Sequence, residues 1–297
     1  MNSVNNDVPN GAQGPILVDV TGMEVRGGRL EFVDYWLRVW DARSYMFHEA
    51  RSKVDDAGKR LYLGNLWLII NPILDGAIYF LVFGVILNLD KGIDNFLAFL
   101  LIGVFFFKLT SRSVSASAAS IMNRRRKASG AALPALAEPL TVNVRTWLTG
   151  FPSYLVMLVM IFAISPPKEI SLIALLVVPI IVLQVLVTAG VSVLAAHFVG
   201  IIPDLQNVLQ VATRAWMFGS GVMFSAERFL GISPIIDFLV HWNPMHWVLE
   251  YSRSALIYNE VPTGDGWYVI ALWALVPLIV GSWLIWMRGD NYATTGR

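Results

Sequence analysis

The sequence predicts an all-α, polytopic membrane protein with six bilayer crossings, and three observations carry that reading. First, hydrophobic residues make up 56% of the 297 positions and charged residues only 14%, where soluble domains carry roughly 25% charge. Second, long stretches hold no charge: 22 residues between Arg145 and Lys168, 34 between Glu169 and Asp204, and 22 between Asp265 and Arg288. A helix needs about 20 apolar residues to cross about 30 Å of hydrocarbon. Third, the cations are unequally shared between alternate loops. The near-zero net charge of +1 hides this asymmetry.

In chain order, residues 1–29 are rich in Asn, Gly, Asp and Val and read as a flexible cytoplasmic tail. Residues 30–60 differ. Val33, Trp36, Trp40, Phe47, Ala50 and Val54 recur at helical spacing, with Arg43 the exception, while Asp34, Arg38, Asp41, Glu49 and Lys53 fall mostly on other faces. One amphipathic helix over 31–56, lying on the inner membrane surface, is expected. A soluble helix packed on a partner would show the same pattern.

The spans follow at about 66–89, 95–122, 146–165, 171–196, 205–225 and 266–287. Three carry isolated charges: Asp75 in the first, Lys108 and Arg112 in the second, Arg214 in the fifth. The loop at 123–145 opens with Arg124, Arg125, Arg126 and Lys127, and Pro134 and Pro139 suggest a short cytoplasmic helix between turns. The basic run alone serves as a topology anchor. Between spans five and six, Ser233-Pro234 and Asn243-Pro244 are N-cap plus N1-proline signals. They predict two short helices, about 234–242 and 244–259, re-entering the outer leaflet; an aromatic belt at headgroup level would use the same residues.

Fifteen Lys and Arg residues fall before span one, between spans two and three, or in the C-terminal tail, against four on the other side. By the positive-inside rule both termini are cytoplasmic. Residues 291–297 form the second tail.

The same residues exclude several chemistries. Cysteine is absent, which removes disulfides, thiolate metal sites and a cysteine nucleophile. Four histidines, His48, His197, His241 and His246, leave little for a metal cluster. Walker A is missing: Gly22–Arg29 comes closest, with Gly28 where Lys is required. Asp55-Asp56 is a weak echo of a glycosyltransferase metal site.

Polar stripes are more informative. Thr110, Ser113, Ser117 and Ser120 share one face of span two; Gln184, Thr188 and Ser192 share one of span four; Asn207, Gln210 and Arg214 share one of span five. Small polar faces allow close helix packing; three together also suit a polar channel. Phe105, Phe106, Phe107, Trp147 and Trp216 supply aromatic faces on which sugars can stack. A centred cation such as Lys108 costs roughly 2.5–3.5 kcal/mol, so it should face inward, toward Asp75 or toward an anionic substrate group. Snorkelling accounts for Arg112 and Arg214 without any function.

The run Arg60-Leu61-Tyr62-Leu63-Gly64-Asn65-Leu66-Trp67, continuing to Asn71-Pro72 and Phe80-Leu81-Val82-Phe83-Gly84, resembles the first span of ABC-2 type polysaccharide exporter permeases. Asn243-Pro244 and Arg253 resemble that family's external NP element and the arginine after it. The likeness spans about residues 31–290. Ile202-Pro203-Asp204 departs from it, where many relatives have Arg-Asp.

The resemblance implies a type V ABC exporter fold over 61–290 in a bacterial plasma membrane. It implies a homodimer of this permease with two copies of an ABC ATPase subunit. ATP and Mg2+ would sit on that partner, and no nucleic acid is expected. The substrate would be a polyprenyl-diphosphate-linked glycan of the O-antigen, teichoic acid or galactan kind. Residues 30–60 would be a gate helix, with Arg51, Lys53, Lys59 and Arg60 meeting the diphosphate. Channel candidates are Phe105, Phe106, Lys108, Thr110, Arg112, Ser113, Ser117, Trp147, Gln184, Asn207, Gln210, Arg214 and Trp216. Helices within 233–259 would form an external gate, through Trp242, Asn243, Pro244, Trp247 and Arg253. ATPase coupling would involve Arg124, Arg125, Arg126, Pro134, Pro139 and Asp204. A drug or small-lipid exporter of the same superfamily is the alternative. A membrane-embedded glycosyltransferase and an ion-coupled secondary transporter fit fewer features.

Overall fold

The computed structural model describes residues 31–59, 62–86, 95–122, 133–164, 166, 171–226 and 231–288. Among them there is helix and turn but no strand. Arg60, Arg124, Arg125 and Arg126 lie outside the described residues.

The amphipathic segment is two helices, α1 (Phe32–Asp41) and α2 (Arg43–Lys59), rather than one. The break falls at Ala42, one position before Arg43, the residue that interrupts the apolar spacing. Arg43 donates back to the Trp40 carbonyl at 3.0 Å, and its guanidinium stands 5.0 Å from the Trp40 ring. Most of the tryptophan stripe does not dock on the protein: Val33, Trp40 and Phe47 are exposed, Trp36 and Val54 are half-buried, and only Ala50 of that stripe is fully covered. A second stripe does. Tyr35, Val39, Met46 and Ala50 are buried, α2 packs on the third-span helix, and the Tyr35 hydroxyl accepts from the Leu136 amide at 3.0 Å. The segment thus has one protein face and one apolar face left outward, as an interfacial helix requires.

The first span comprises a 3-10 turn (Gly64–Leu66), α3 (Trp67–Tyr79) and a π-helical end (Phe80–Ile86). Pro72 lies inside α3, where it removes one helical hydrogen bond. The second span is α4 (Phe96–Ala118), prolonged by a helical turn to Met122. It is the hub. Phe96, Phe99 to Ile102 and Phe105 to Phe107 are buried, and α4 packs against the helices of spans three, four and five and the later hairpin.

The third span, α5 (Ala137–Ile164), starts nine positions earlier than the charge gap suggests. Pro139 sits in its first turn, where amides have no intrahelical partner, so it starts the helix instead of breaking it. Ala135 and Leu136 form a turn before α5, with the Ala137 amide donating to the Pro134 carbonyl at 3.0 Å; residues 123–132 of that loop, where the rest of the expected short helix falls, lie outside the described residues.

The fourth span is a 3-10 turn (Leu172–Leu176) and α6 (Val177–Ile201), extending past the expected end near Ala196. It stops where Ile202 becomes extended, φ −123° and ψ 98°, as a residue before proline must. Next, α7 (Leu205–Gly219) has only 15 residues, about 22 Å of helix. The expected fifth span to Ser225 is cut short by a turn in which Gly221 adopts φ +71°. Among the described residues, five helices, not six, are long and apolar enough to cross a bilayer.

The hairpin helices are α8 (Pro234–His241) and α9 (Pro244–Arg253), the latter continued by a π-helical turn to Tyr258. Ser233 and Asn243 cap them through their side chains. The last helix, α10 (Gly266–Arg288), packs along α6.

Candidate functional site

Two polar regions lie within the spans. The first is a closed seam joining α4, α5, α6 and α9. Gln184 donates to the Thr110 hydroxyl at 2.8 Å and to the Phe106 carbonyl at 2.9 Å, and accepts from the Tyr154 hydroxyl at 2.9 Å. Asn143 donates to Ser113 at 2.9 Å and Ser192 at 3.2 Å. Thr188 donates to the Gln184 carbonyl at 2.6 Å, and Thr110 reaches the Met245 sulfur at 3.5 Å. Each stripe residue here has zero exposure. The polar faces of spans two and four are thus spent on one another, as close helix packing in lipid favours. Ser117 is equally buried, with no partner among the described residues.

Phe106, Phe107 and Trp147 join this interior, while Phe105 and Trp216 also line open pockets. Phe106 meets Tyr154 edge-on at 4.7 Å, Trp147 stacks with Tyr154 at 6.1 Å, and Phe107 meets Trp216 edge-on at 5.5 Å.

The second region is an open pocket of about 390 Å3 between α3, α4 and α5. Trp67, Asn71, Pro72 and Asp75 come from α3; Phe105, Lys108 and Arg112 come from α4; Thr149, Gly150 and Ser153 come from α5. Lys108 forms an ion pair with Asp75, and both side chains keep a third or more of their surface exposed, 53% and 37%. Arg112 is exposed on the same wall. Part of the motif that carries the family resemblance and three of the four isolated intraspan charges, read separately along the chain, therefore line one cavity, while Arg214 lies apart on α7. Thr149 and Ser153 were not singled out in the sequence. Their i, i+4 spacing was visible, but nothing said which face of α5 would meet Lys108.

The hairpin is held by two residues. Asn243 accepts from the Met245 and His246 amides at 3.0 and 3.4 Å and from the Trp216 indole at 2.8 Å, and donates to the Gly219 carbonyl at 3.1 Å and the Ser220 hydroxyl at 3.0 Å. Arg253, 2% exposed, donates to the carbonyls of Phe99, Gly221 and Val222 at 3.4, 2.9 and 3.2 Å. Its guanidinium lies 3.4 Å from the Phe99 ring centre. Burial pulls it down to about 9, against the support of Glu250, so it stays cationic at neutral pH. Gly103 makes room for it: a Cβ there would stand 2.4 Å from the Val222 carbonyl and 2.7 Å from the guanidinium. Pro244 is buried, Trp242 is exposed, and Trp247 donates to the His241 carbonyl at 2.7 Å.

Other candidates stay apart. Asn207, Gln210 and Arg214 lie exposed on α7, where only Thr213 is buried. Asp204 is exposed at the start of α7 and makes no side-chain cap; Pro134 is half-buried and Pro139 buried. On α2, Lys53 pairs with Glu49 and Lys59 with Asp56, while Arg51 stands exposed.

The profile of the ABC-2 type transporter family matches residues 57–257. That interval contains the pocket, the seam and the hairpin. The chain is also similar to the O-antigen export system permease protein RfbA of Myxococcus xanthus, 25% identical over 236 residues, covering 78% of this chain and 87% of the relative. The polysialic acid transport protein KpsM of Escherichia coli is 25% identical over 243 residues, 78% of this chain and 89% of the relative. An RfbA permease of Klebsiella pneumoniae is 22% identical over 210 residues, 67% and 80%.

Proposed function

The chain belongs to the ABC-2 type transporter family, and on that premise we propose that it is the permease subunit of an ATP-driven polysaccharide exporter. Its cargo is a polyprenyl-diphosphate-linked glycan of the O-antigen, teichoic acid or galactan class. The observation that carries this reading is the match to export permeases named for O-antigen and polysialic acid, each along most of its own length. ATP and Mg2+ belong to a separate ABC ATPase, since the sequence has no Walker A segment to cradle phosphates.

Two copies of the permease pair with two ATPases in a bacterial plasma membrane, with both termini cytoplasmic. The weak cover on α7 supports a second copy. Its exposed Asn207, Gln210 and Arg214 are the residues best placed to line a passage between copies. The zero-exposure seam residues serve to hold each half rigid. Beside the membrane surface, exposed Arg51 is the gate-helix cation best placed to meet a diphosphate; Lys53 and Lys59 must first leave their carboxylates. The turn before α5, together with Asp204, faces the ATPases. Nucleotide binding then moves the two halves, and the α8–α9 hairpin opens the far side.

Depleting the protein in its host should trap the lipid-linked glycan on the cytoplasmic side. Unchanged surface glycan on depletion would contradict the reading. In proteoliposomes with its ATPase, glycan-stimulated ATP hydrolysis separates this cargo from a drug or small lipid.

A further inference from the structure

The pocket between α3, α4 and α5 has a charge imbalance. Lys108 and Arg112 bring two positive charges and Asp75 one negative, so the lining carries +1. Lys108 stands 12 residues from Phe96, about 18 Å along the helix, and Arg112 stands ten from Met122, about 15 Å. Both therefore lie in the interior of the 27-residue stretch that is long and apolar enough to cross a bilayer. Among the described residues this extra positive charge has no counter-charge, and an ionisable residue within a span marks a functional site by default.

The neighbours tell what would compensate it. Lys108 and Arg112 are one helical turn apart on the same wall, and Ser153 lines the opposite one with a hydroxyl, while the Thr149 hydroxyl beside it donates back to the Arg145 and Thr146 carbonyls. That is a donor set for a multi-oxygen anion, and guanidinium matches phosphate oxygens two at a time. The volume of about 390 Å3 falls within the ordinary range for small-ligand sites, about 300–1,000 Å3. Outside it, Ile69, Ile73 and Ile78 of α3 are exposed, and this span is only 11% buried within the chain. A hydrocarbon tail can therefore lie along α3 while the headgroup sits inside.

We infer that this pocket binds a phosphoryl headgroup carried by a membrane amphiphile, with Arg112 as its standing ligand and Lys108 as an exchangeable one. Asp75 holds Lys108 while the pocket is empty of anion and yields it when phosphate arrives. The site goes beyond the export reading, which assigns no ligand at this depth, and it stands whichever amphiphile the transporter carries.

The test uses the full chain in phosphatidylcholine nanodiscs, with binding read by native mass spectrometry. The probes are farnesyl diphosphate, phosphatidylglycerol and inorganic diphosphate. Farnesyl diphosphate should bind, and Arg112→Gln should weaken it at least tenfold while Arg112→Lys, which keeps the charge but not the fork, recovers only part of the loss. Asp75→Asn should tighten it several-fold, because the lining rises from +1 to +2; a purely structural ion pair predicts the opposite sign. Phosphatidylglycerol binding with the same Arg112 dependence supports the same site and names a bulk phospholipid as its source. The inference is overturned if Arg112→Gln binds like the parent, if Asp75→Asn weakens binding at an unchanged melting temperature, or if inorganic diphosphate binds as tightly as the amphiphiles. Glycan export in cells is scored separately, so either idea can fail alone.

Discussion

The α4–α5–α6 seam and the α3 wall face one problem, polar side chains in a low-dielectric surrounding, and meet it in opposite ways. The seam uses neutral, buried groups: Gln184, Thr110, Tyr154, Asn143 and Ser113 satisfy each other. The wall uses ionised groups that keep a third or more of their surface open to a cavity and leave one positive charge over. Neutral closed networks make helix contacts specific. Open charged ones invite a ligand or a counter-charge. The contrast separates residues that hold the transporter's shape from residues free to touch cargo.

Substitutions can break or sharpen this contrast. The largest effect is expected at the most closed charged group. Arg253→Ala strands three carbonyls, those of Phe99, Gly221 and Val222, and opens a hole beside Gly103. It should cost about 3–5 kcal/mol, read as a lower melting temperature in detergent. Arg253→Lys should recover little, because one ammonium cannot reproduce the fork.

Next comes acid. His246 is held down to about 4 by burial first, then by Arg253 and His241. The fold therefore prefers the neutral ring. That stability is complete above about pH 6.5 and is lost as pH falls toward 4, on the order of 2–3 kcal/mol in all. Thermal melts between pH 7 and 4 should show the loss, and His246→Gln should flatten it.

Within the seam, Gln184→Leu leaves the Tyr154 and Thr110 hydroxyls without their partner. A loss of about 1–3 kcal/mol is expected, with export failing only as stability fails. The smallest effect belongs to the open wall. A double-mutant cycle of Asp75→Asn and Lys108→Gln should return about 0–1 kcal/mol of coupling, while the two single variants change transport well beyond their change in melting temperature. Coupling as large as the Gln184 effect would turn the wall into a second structural seam and erase the distinction.

Much of the site was legible as residue types and little as geometry. Asp75, Lys108 and Arg112 stood out because charge is rare in such spans, and the pairing of Lys108 with Asp75 follows from there being so few intraspan charges. The stripe of Thr110, Ser113 and Ser117 was equally visible, but periodicity gives a face and not a neighbour. Whether that face lines water or meets Gln184 and Asn143 depends on how α4, α5 and α6 turn against each other. Asn143 also went unnoticed, because Arg145 marks the edge of the uncharged gap and α5 runs past it.

By itself, the sequence determined the solvent, the helical class, the approximate crossings and the capped hairpin. Each is set locally, by transfer of apolar residues into lipid, by intrahelical hydrogen bonding and by Ser or Asn placed before Pro. Tertiary structure alone decided that α1 and α2 break at Ala42 and that α7 stops at Gly219, short of the expected Ser225. It also decided which polar stripe closes on itself and which charges stay open. Those outcomes depend on which faces meet. Pairing of neutral groups between distant helices, across 78 residues from Phe106 to Gln184, leaves no mark on either helix alone.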